Sequence, residues 1–173
     1  LINRREFERR LELALQASCT CDVKHMLCFV DLDRFKIVND TCGHVAGDEL
    51  LRQLAHLLRK HTRDSDVLGR LGGDEFGILL ADCTEEDAVR IGESLRRIIE
   101  DYRFSWQGHV FVVGASIGMV AIDGSVRKIG DLLSLADQAC YIAKEKGRNR
   151  IQVCRRDDRE FAARRGEMNW AER

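Results

Sequence analysis

The 173-residue sequence contains no proline, so a proline-rich linker is excluded. It also has little net charge, formally −1. Such a chain lacks the basic field that duplex nucleic acid requires, and any phosphate binding must come from a few placed cations. Long apolar runs are missing. The longest, from Val110 to Ile122, is interrupted by Ser116 and Gly118, is too short to cross a bilayer as a helix, and reads as a strand. No signal peptide is visible, because Leu1 and Ile2 lead straight into Asn3-Arg4-Arg5-Glu6. The seven cysteines show no regular spacing, which fits free thiols in a reducing compartment better than a disulfide framework. Cys19, Cys21, His25 and Cys28 lie close together, but Cys-x-Cys before an apolar stretch is a weak zinc pattern, and no second pair stands at finger spacing.

What is present is a globular composition, 45% hydrophobic and 33% charged, in a chain the size of one domain. A chain this long buries roughly 68–70% of its unfolded surface around one core. Met26 to Val30 reads as a buried strand that delivers Asp31 and Asp33 at its C-terminal end. Leu50, Leu51, Leu54, Leu57 and Leu58 recur at helical spacing. Val67 to Leu71 and Phe76 to Leu80 flank Gly72-Gly73-Asp74-Glu75, the mark of a β-hairpin with carboxylates at its tip. Thr84 opens a capping box closed by Asp87, and Ala88, Ile91, Leu95, Ile98 and Ile99 form the stripe of the helix that follows. Strands are expected at Phe104 to Trp106 and His109 to Ile122. A helix capped by Asp131 should follow, ending at Lys144, Lys146 and Gly147, before a short strand from Ile151 to Cys154. Helices alternating with strands predict an α+β domain, a sheet covered by helices on at least one face.

Four blocks carry the chemistry. They are Asp31-Leu32-Asp33-Arg34-Phe35-Lys36-Ile37-Val38-Asn39-Asp40, then Gly43-His44-Val45-Ala46-Gly47-Asp48, then Gly72-Gly73-Asp74-Glu75-Phe76, and Lys144-Glu145-Lys146-Gly147-Arg148-Asn149. Taken singly, each acid reads as a solvated group or a cap. Asp31 at a strand end and Asp74 at a hairpin tip are hard oxygen ligands on neighbouring elements, suited to Mg2+ or Mn2+ bound partly through phosphates. Gly72 and Gly73 are expected to turn with positive φ and to let a ligand approach the backbone. Asp48 can accept both N–H groups on one edge of guanine, with Asn39 completing the contact, although either could instead cap a turn. Lys36, Lys144 and Arg148 are candidate phosphate cations, and a basic residue ending a helix is also an ordinary dipole partner.

In this order the four blocks closely resemble the GGDEF family, from Leu1 to about Val153. The resemblance implies a diguanylate cyclase that joins two GTP into cyclic di-GMP, with a mostly antiparallel central sheet like that of nucleotidyl cyclases and polymerase palms. It implies metal ligands at Asp31, Asp74 and the Leu32 carbonyl, and Asp74 and Glu75 as signature carboxylates, Asp74 serving also to deprotonate the attacking 3′-hydroxyl. Phe35, Asn39 and Asp48 fall at substrate-binding positions, Lys144 and Arg148 at triphosphate positions, and Lys36 where transition-state charge is stabilised. Arg63 and Asp66 resemble the family's inhibitory cyclic di-GMP site, with a surface ion pair as the plain alternative. The product is a symmetric ring and the chain carries one guanine pocket, so the resemblance implies a homodimer with one GTP per protomer. A cytoplasmic setting follows from the same reading, either for a free protein or for the cytoplasmic part of a membrane-anchored parent.

Two departures are visible. The family's Leu-Thr-Gly-Leu ahead of Asn-Arg is missing before Leu1, which suggests a start cut short, and Cys140 stands where leucine is usual. The GGDEF domain is assigned to residues 1–154. Residues 155–173, with Phe161, Met168 and Trp170 among alternating charges, resemble a linker helix leading to an EAL phosphodiesterase domain, with a sensor domain also attached. A catalytically idle domain that binds GTP or cyclic di-GMP and regulates such a neighbour is the alternative function.

Overall fold

The computed structural model describes residues 1–21 and 23–155, so the linker helix expected over 155–173 lies outside the described residues from residue 156 onward. The first element, α1 (Arg4–Thr20), is capped by the Asn3 side chain, which accepts the Glu6 N–H at 2.9 Å. Phe7, Leu11, Ala14 and Leu15 form its buried stripe at helical spacing. The strand β1 (His25–Asp33) runs three residues past the expected Val30. After it, Arg34 takes a left-handed conformation (φ 65°) and starts the short α2 (Phe35–Cys42), which meets α3 (His44–Lys60) across Gly43 at φ 83°. Neither α1 nor α2 was predicted.

The hairpin expected around the two glycines is β2 (Val67–Gly72) and β3 (Glu75–Leu80), antiparallel, with a register shift between Arg70 and Gly72. α4 (Glu85–Asp101) begins at Thr84, whose hydroxyl accepts the Asp87 N–H at 3.2 Å. The single strand expected from His109 to Ile122 is two. β5 (His109–Phe111) turns back on β4 (Phe104–Trp106) through Gln107 and Gly108, both at positive φ, and these form a separate two-stranded sheet. β6 (Gly114–Ile122) starts after the break, which buries Val113 and seats Phe111 against Phe104 at 6.3 Å between ring centres. α5 (Ile129–Glu145) is preceded by Lys128 rather than capped by Asp131, which lies in its first turn, where a carboxylate still favours the helix dipole. Last comes β7 (Ile151–Cys154).

The main sheet has the order β2-β3-β1-β6-β7, antiparallel except for β6 beside β7. Side chains alternate across β1, and both faces are covered. Met26, Cys28, Val30 and Leu32 pack with Leu50, Leu54 and Leu58 of α3 and Leu95 and Ile99 of α4. Leu27 and Phe29 pack on the other face with Phe7 and Leu11 of α1 and Leu132, Ala136 and Cys140 of α5. Asp31 and Asp33 continue this second alternation and so fall on the α1/α5 face. That helix lies close to the sheet: a Cβ at Gly118 of β6 would come within 2.0 Å of the Ala136 carbonyl oxygen. The paired glycines Gly69 and Gly77 likewise make room for the Phe7 ring, which an added Cβ would approach to 2.8 and 2.7 Å.

Candidate functional site

Charged groups concentrate at the C-terminal end of β1. Asp31 is opposite Glu75 on one side and Ser116 on the other, and the Leu32 N–H donates to the Asp74 carbonyl at 3.3 Å. The hairpin tip is thereby fastened beside the strand end. It is gripped from within as well, because Arg70 donates through Nε and Nη2 to the Gly73 carbonyl at 3.0 and 2.8 Å. Positive φ is not used here. Gly72 and Gly73 are absent from the left-handed glycines, and the turn is made with ordinary φ values aided by the bulge. A Cβ on Gly73 would meet nothing within 4 Å, so its backbone faces open space.

Lys144, in the last turn of α5, reaches across to this cluster and places Nζ 2.6 Å from Asp31 Oδ2. Burial raises the Asp31 pKa above the ordinary carboxylate value, the Lys144 contact opposes that rise, and the charges of Asp74 and Asp33 add to it. Glu75 is raised by burial and then by Asp31, Asp137 and Asp74. Burial would lower the Lys144 pKa, but its bond to Asp31 and the surrounding acids hold it above the usual lysine value. A crowd of hard oxygen donors whose ionised forms are disfavoured without a countercharge is a fitting place for a divalent cation. Among the described residues, no three His, Cys, Asp or Glu side chains converge into a metal cage of their own, so such a cation would draw further ligands from a nucleotide or water.

A second group lies on α2 and α3. Phe35 is buried, Asn39 is half-buried, and Gly47 is packed so tightly against them that a Cβ would fall 1.9 Å from Asn39 Oδ1 and 2.9 Å from Phe35 Cζ. Asn39 Oδ1 is buried with no hydrogen-bond partner among the described residues. An acceptor left in that condition costs stability unless a donor arrives. Asp48, next to Gly47, is exposed, as is Lys36 on the first turn of α2. Arg148 is exposed on the loop after α5, at φ 64°, and is followed by Asn149 at φ 47°.

Arg63 and Asp66 lie at the opposite end of the β2–β3 hairpin from Asp74. Asp66 is the inner member of the pair. Its side chain is 1% exposed and accepts the backbone N–H groups of Arg63 and Ala81 as well as the Arg63 guanidinium, at 2.9–3.3 Å. Arg63, 52% exposed, also donates to the Ala81 carbonyl at 2.8 Å. Asp66 thus holds the turn, and Arg63 is the member that faces solvent.

The weak zinc pattern near the start of β1 is dispersed. Cys19 and Cys21 are exposed, Cys28 is buried with its thiol pKa driven up by burial, and His25 Nδ1 accepts the Asp82 N–H at 3.1 Å. Among the described residues, which include all seven cysteines, there is no disulfide. Sequence reasoning left Ser116 out of the site and gave Asp33 and Gly47 no role of their own, although both stand in the motif blocks. Asp33 carried a signal, since in a strand it must share the face of Asp31.

The sequence pattern of the family described as "Diguanylate cyclase, GGDEF domain" matches residues 1–150. This chain belongs to the GGDEF family. It is 49% identical over 153 residues to the probable diguanylate cyclase DgcE of Escherichia coli, covering 88% of this chain and 14% of that protein. It is 40% identical over 150 residues to the bifunctional diguanylate cyclase/cyclic di-GMP phosphodiesterase MucR of Pseudomonas aeruginosa, covering 86% of this chain and 22% of that one. The chain therefore spans less than a quarter of either relative. Among solved structures, the GGDEF domain of TpbB (also YfiN) from Pseudomonas aeruginosa superimposes with a TM-score of 0.85 at 34% identity, covering 94% of this chain and 95% of that one. The mixed sheet flanked by helices is accordingly the α+β, palm-like fold of this family. Among the described residues, no helix is long and apolar enough to cross a membrane.

Proposed function

We propose that this GGDEF domain is a working diguanylate cyclase that condenses two GTP into cyclic di-GMP, two copies of the chain facing each other with one GTP apiece. The observation that carries this reading is the cluster at the end of β1, where Asp31 stands opposite Glu75, the Asp74 backbone is fastened beside the strand end, and Lys144 meets Asp31 at 2.6 Å. Asp31, Asp74 and the Leu32 carbonyl would hold Mg2+ or Mn2+. When bound, such a cation stabilises charge on phosphate oxygens and makes a coordinated hydroxyl easier to deprotonate.

The chain's own residues supply the rest. Asp48 accepts the paired N–H groups of guanine, and the unpartnered Asn39 Oδ1 waits beside it as a further acceptor. Lys144 exchanges its Asp31 contact for phosphate oxygens, and Arg148 adds a planar fork, while Lys36 faces the developing charge. The 3′-hydroxyl of each GTP gives its proton to the Asp74 carboxylate, beside Glu75, and attacks the α-phosphate of the other. Two P–O bonds form, two break, and two pyrophosphates leave. Cyclic di-GMP then acts back through Arg63. On this reading the domain works in a reducing, cytoplasmic compartment, attached to sensor and EAL domains in a longer protein; the relative MucR is named for both diguanylate cyclase and cyclic di-GMP phosphodiesterase activity.

Chromatography of GTP incubated with the protein and Mg2+ tests this. Wild type should yield cyclic di-GMP and pyrophosphate, and Asp74→Ala should yield none while melting as a folded protein. Binding of GTP without product in wild type would instead favour the idle domain that regulates an attached phosphodiesterase.

A further inference from the structure

A chain of polar groups that none of these roles uses runs underneath the site. Asp33 is 5% exposed, yet both of its oxygens are occupied: Oδ1 accepts the Ser116 hydroxyl at 2.8 Å, and Oδ2 accepts the Asn149 backbone N–H at 2.9 Å. Asn149 in turn donates through Nδ2 to Glu100 Oε1 at 2.7 Å. Glu100 is held by Arg96 at 2.7 Å, and Arg96, only 11% exposed, is also paired with Glu93. The chain thus links β6, β1, the loop after α5, and α4.

What it holds is strained. Arg148 and Asn149 are consecutive non-glycine residues in the left-handed region, at φ 64° and 47°. Such a pair persists only where surrounding contacts over-determine it. The Arg148 N–H closes onto the Ala143 carbonyl at 3.0 Å, and the Asp33 and Glu100 contacts fix the next residue. Space is reserved for this arrangement at Gly114, where a Cβ would come within 3.1 Å of Asp33 Oδ2 and 3.2 Å of Asn149.

We infer that Asp33 and Asn149 are positioning residues that lock the Lys144–Asn149 segment to the end of β1, setting the phosphate cations in register with the metal carboxylates. Asp33 is two residues from Asp31, so one strand end carries both the candidate metal ligand and the clamp on the cation loop. The inference rests on the proposed cyclase reading. It assigns to Asp33 no contact with substrate or metal.

Three variants test it. Asp33→Ala removes both acceptors. Asp33→Asn restores them if the amide turns its oxygen to the Asn149 N–H and its nitrogen to Ser116 Oγ, since a hydroxyl also accepts. Asn149→Gly keeps the left-handed backbone and the N–H while deleting the Glu100 contact. Steady-state kinetics should show KM for GTP rising about tenfold in Asp33→Ala, with kcat changed less, and recovering to within about threefold in Asp33→Asn. Amide hydrogen exchange without nucleotide should be faster over residues 144–150 in Asp33→Ala and Asn149→Gly while the β1 and β6 amides stay protected.

An active wild type whose Asp33→Ala and Asn149→Gly variants keep wild-type KM and exchange overturns the inference and leaves the cyclase reading intact. Loss of protection throughout the sheet in both variants, with no rescue by Asp33→Asn, overturns it in favour of a general stabilising role. A wild type that neither binds nor converts GTP removes both readings.

Discussion

Lys144 Nζ stands 2.6 Å from Asp31 Oδ2, joining the last turn of α5 to the end of β1. The ammonium supplies the countercharge that a largely buried carboxylate needs, and it is also the group proposed to bind phosphate. Lys144→Ala should therefore damage two properties at once. Removing one partner of a pair in which Asp31 is 13% exposed should cost about 1–3 kcal/mol, less than for a fully buried pair because Lys144 is itself 32% exposed. The cost belongs to the ionised carboxylate, so it should shrink as pH falls through the Asp31 pKa, which burial holds above the ordinary value. Urea unfolding of both proteins across the acid range checks this. Turnover of GTP should fall at least about a hundredfold, a loss that acidification does not repair.

Gly47→Ala should displace the Asn39 amide between α2 and α3 without unfolding the domain. The added methyl would lie 1.9 Å from Asn39 Oδ1, the flexible end of a side chain, and 2.9 Å from the Phe35 ring. The amide must move, and an acceptor proposed to read guanine moves with it. Affinity for GTP, measured by calorimetry, should fall about tenfold with a change in melting temperature of only a few degrees. Unchanged affinity would separate Asn39 from the base.

Much of this was legible in the sequence because the motifs coincide with local rules. The run Met26 to Val30 reads as a buried strand, which makes Asp31 and Asp33 project from a strand end. The hairpin could be read because alternating apolar runs flank its glycines. Other features depend on distant partners. The apolar run Val110 to Ile122 hides the break before β6, where Phe111 leaves for the two-stranded sheet and packs on Phe104. The burial of Asp66 follows from Ala81, a residue fifteen positions away whose N–H it accepts. Gly72 and Gly73 misled for the opposite reason: the bulge and the Arg70 grip supply the turn, and positive φ is not needed. α1 carried an evident signal in Asn3, Phe7, Leu11, Ala14 and Leu15, and a systematic count of spacing would have found it.

His25 should give the fold a dependence on pH separate from the site. Its Nδ1 accepts the Asp82 N–H at 3.1 Å, which requires that nitrogen to be unprotonated, and burial lowers its pKa from 6.5 against the pull of Asp82. With the folded pKa below the unfolded one, the unfolded chain takes up the proton first on acidification. Stability contributed here is complete above the unfolded value and is lost as pH falls through it toward the folded value. Replacing the ring by an amide oxygen, His25→Asn, keeps an acceptor and removes the titration. The urea midpoint of wild type should drop more than that of the variant between about pH 7.5 and 5.5. Parallel curves would deny His25 this part.

Arg63 and Asp66 should behave differently from each other, although the sequence suggests one paired site. Asp66 is 1% exposed and is the acceptor for two backbone N–H groups, so Asp66→Ala orphans donors at Arg63 and Ala81 and should destabilise the domain by about 2–4 kcal/mol. Arg63 is 52% exposed, and its ion pair faces solvent on one side, so Arg63→Ala should cost about 1 kcal/mol or less. Its guanidinium is nevertheless held in a fixed plane by Asp66 and the Ala81 carbonyl, a preorganised fork for a phosphate oxygen or a guanine edge. Product should therefore bind chiefly through Arg63, with Asp66 acting as its support. The ligand must also favour an unproductive arrangement of two domains over the productive one, since equal affinity for both would shift nothing. Calorimetry with cyclic di-GMP, together with initial rates at increasing product, provides the check. Arg63→Ala should bind product at least about tenfold more weakly and resist inhibition, while its uninhibited rate stays near that of wild type. If both proteins are inhibited alike, Arg63 and Asp66 are an ion pair that closes a turn.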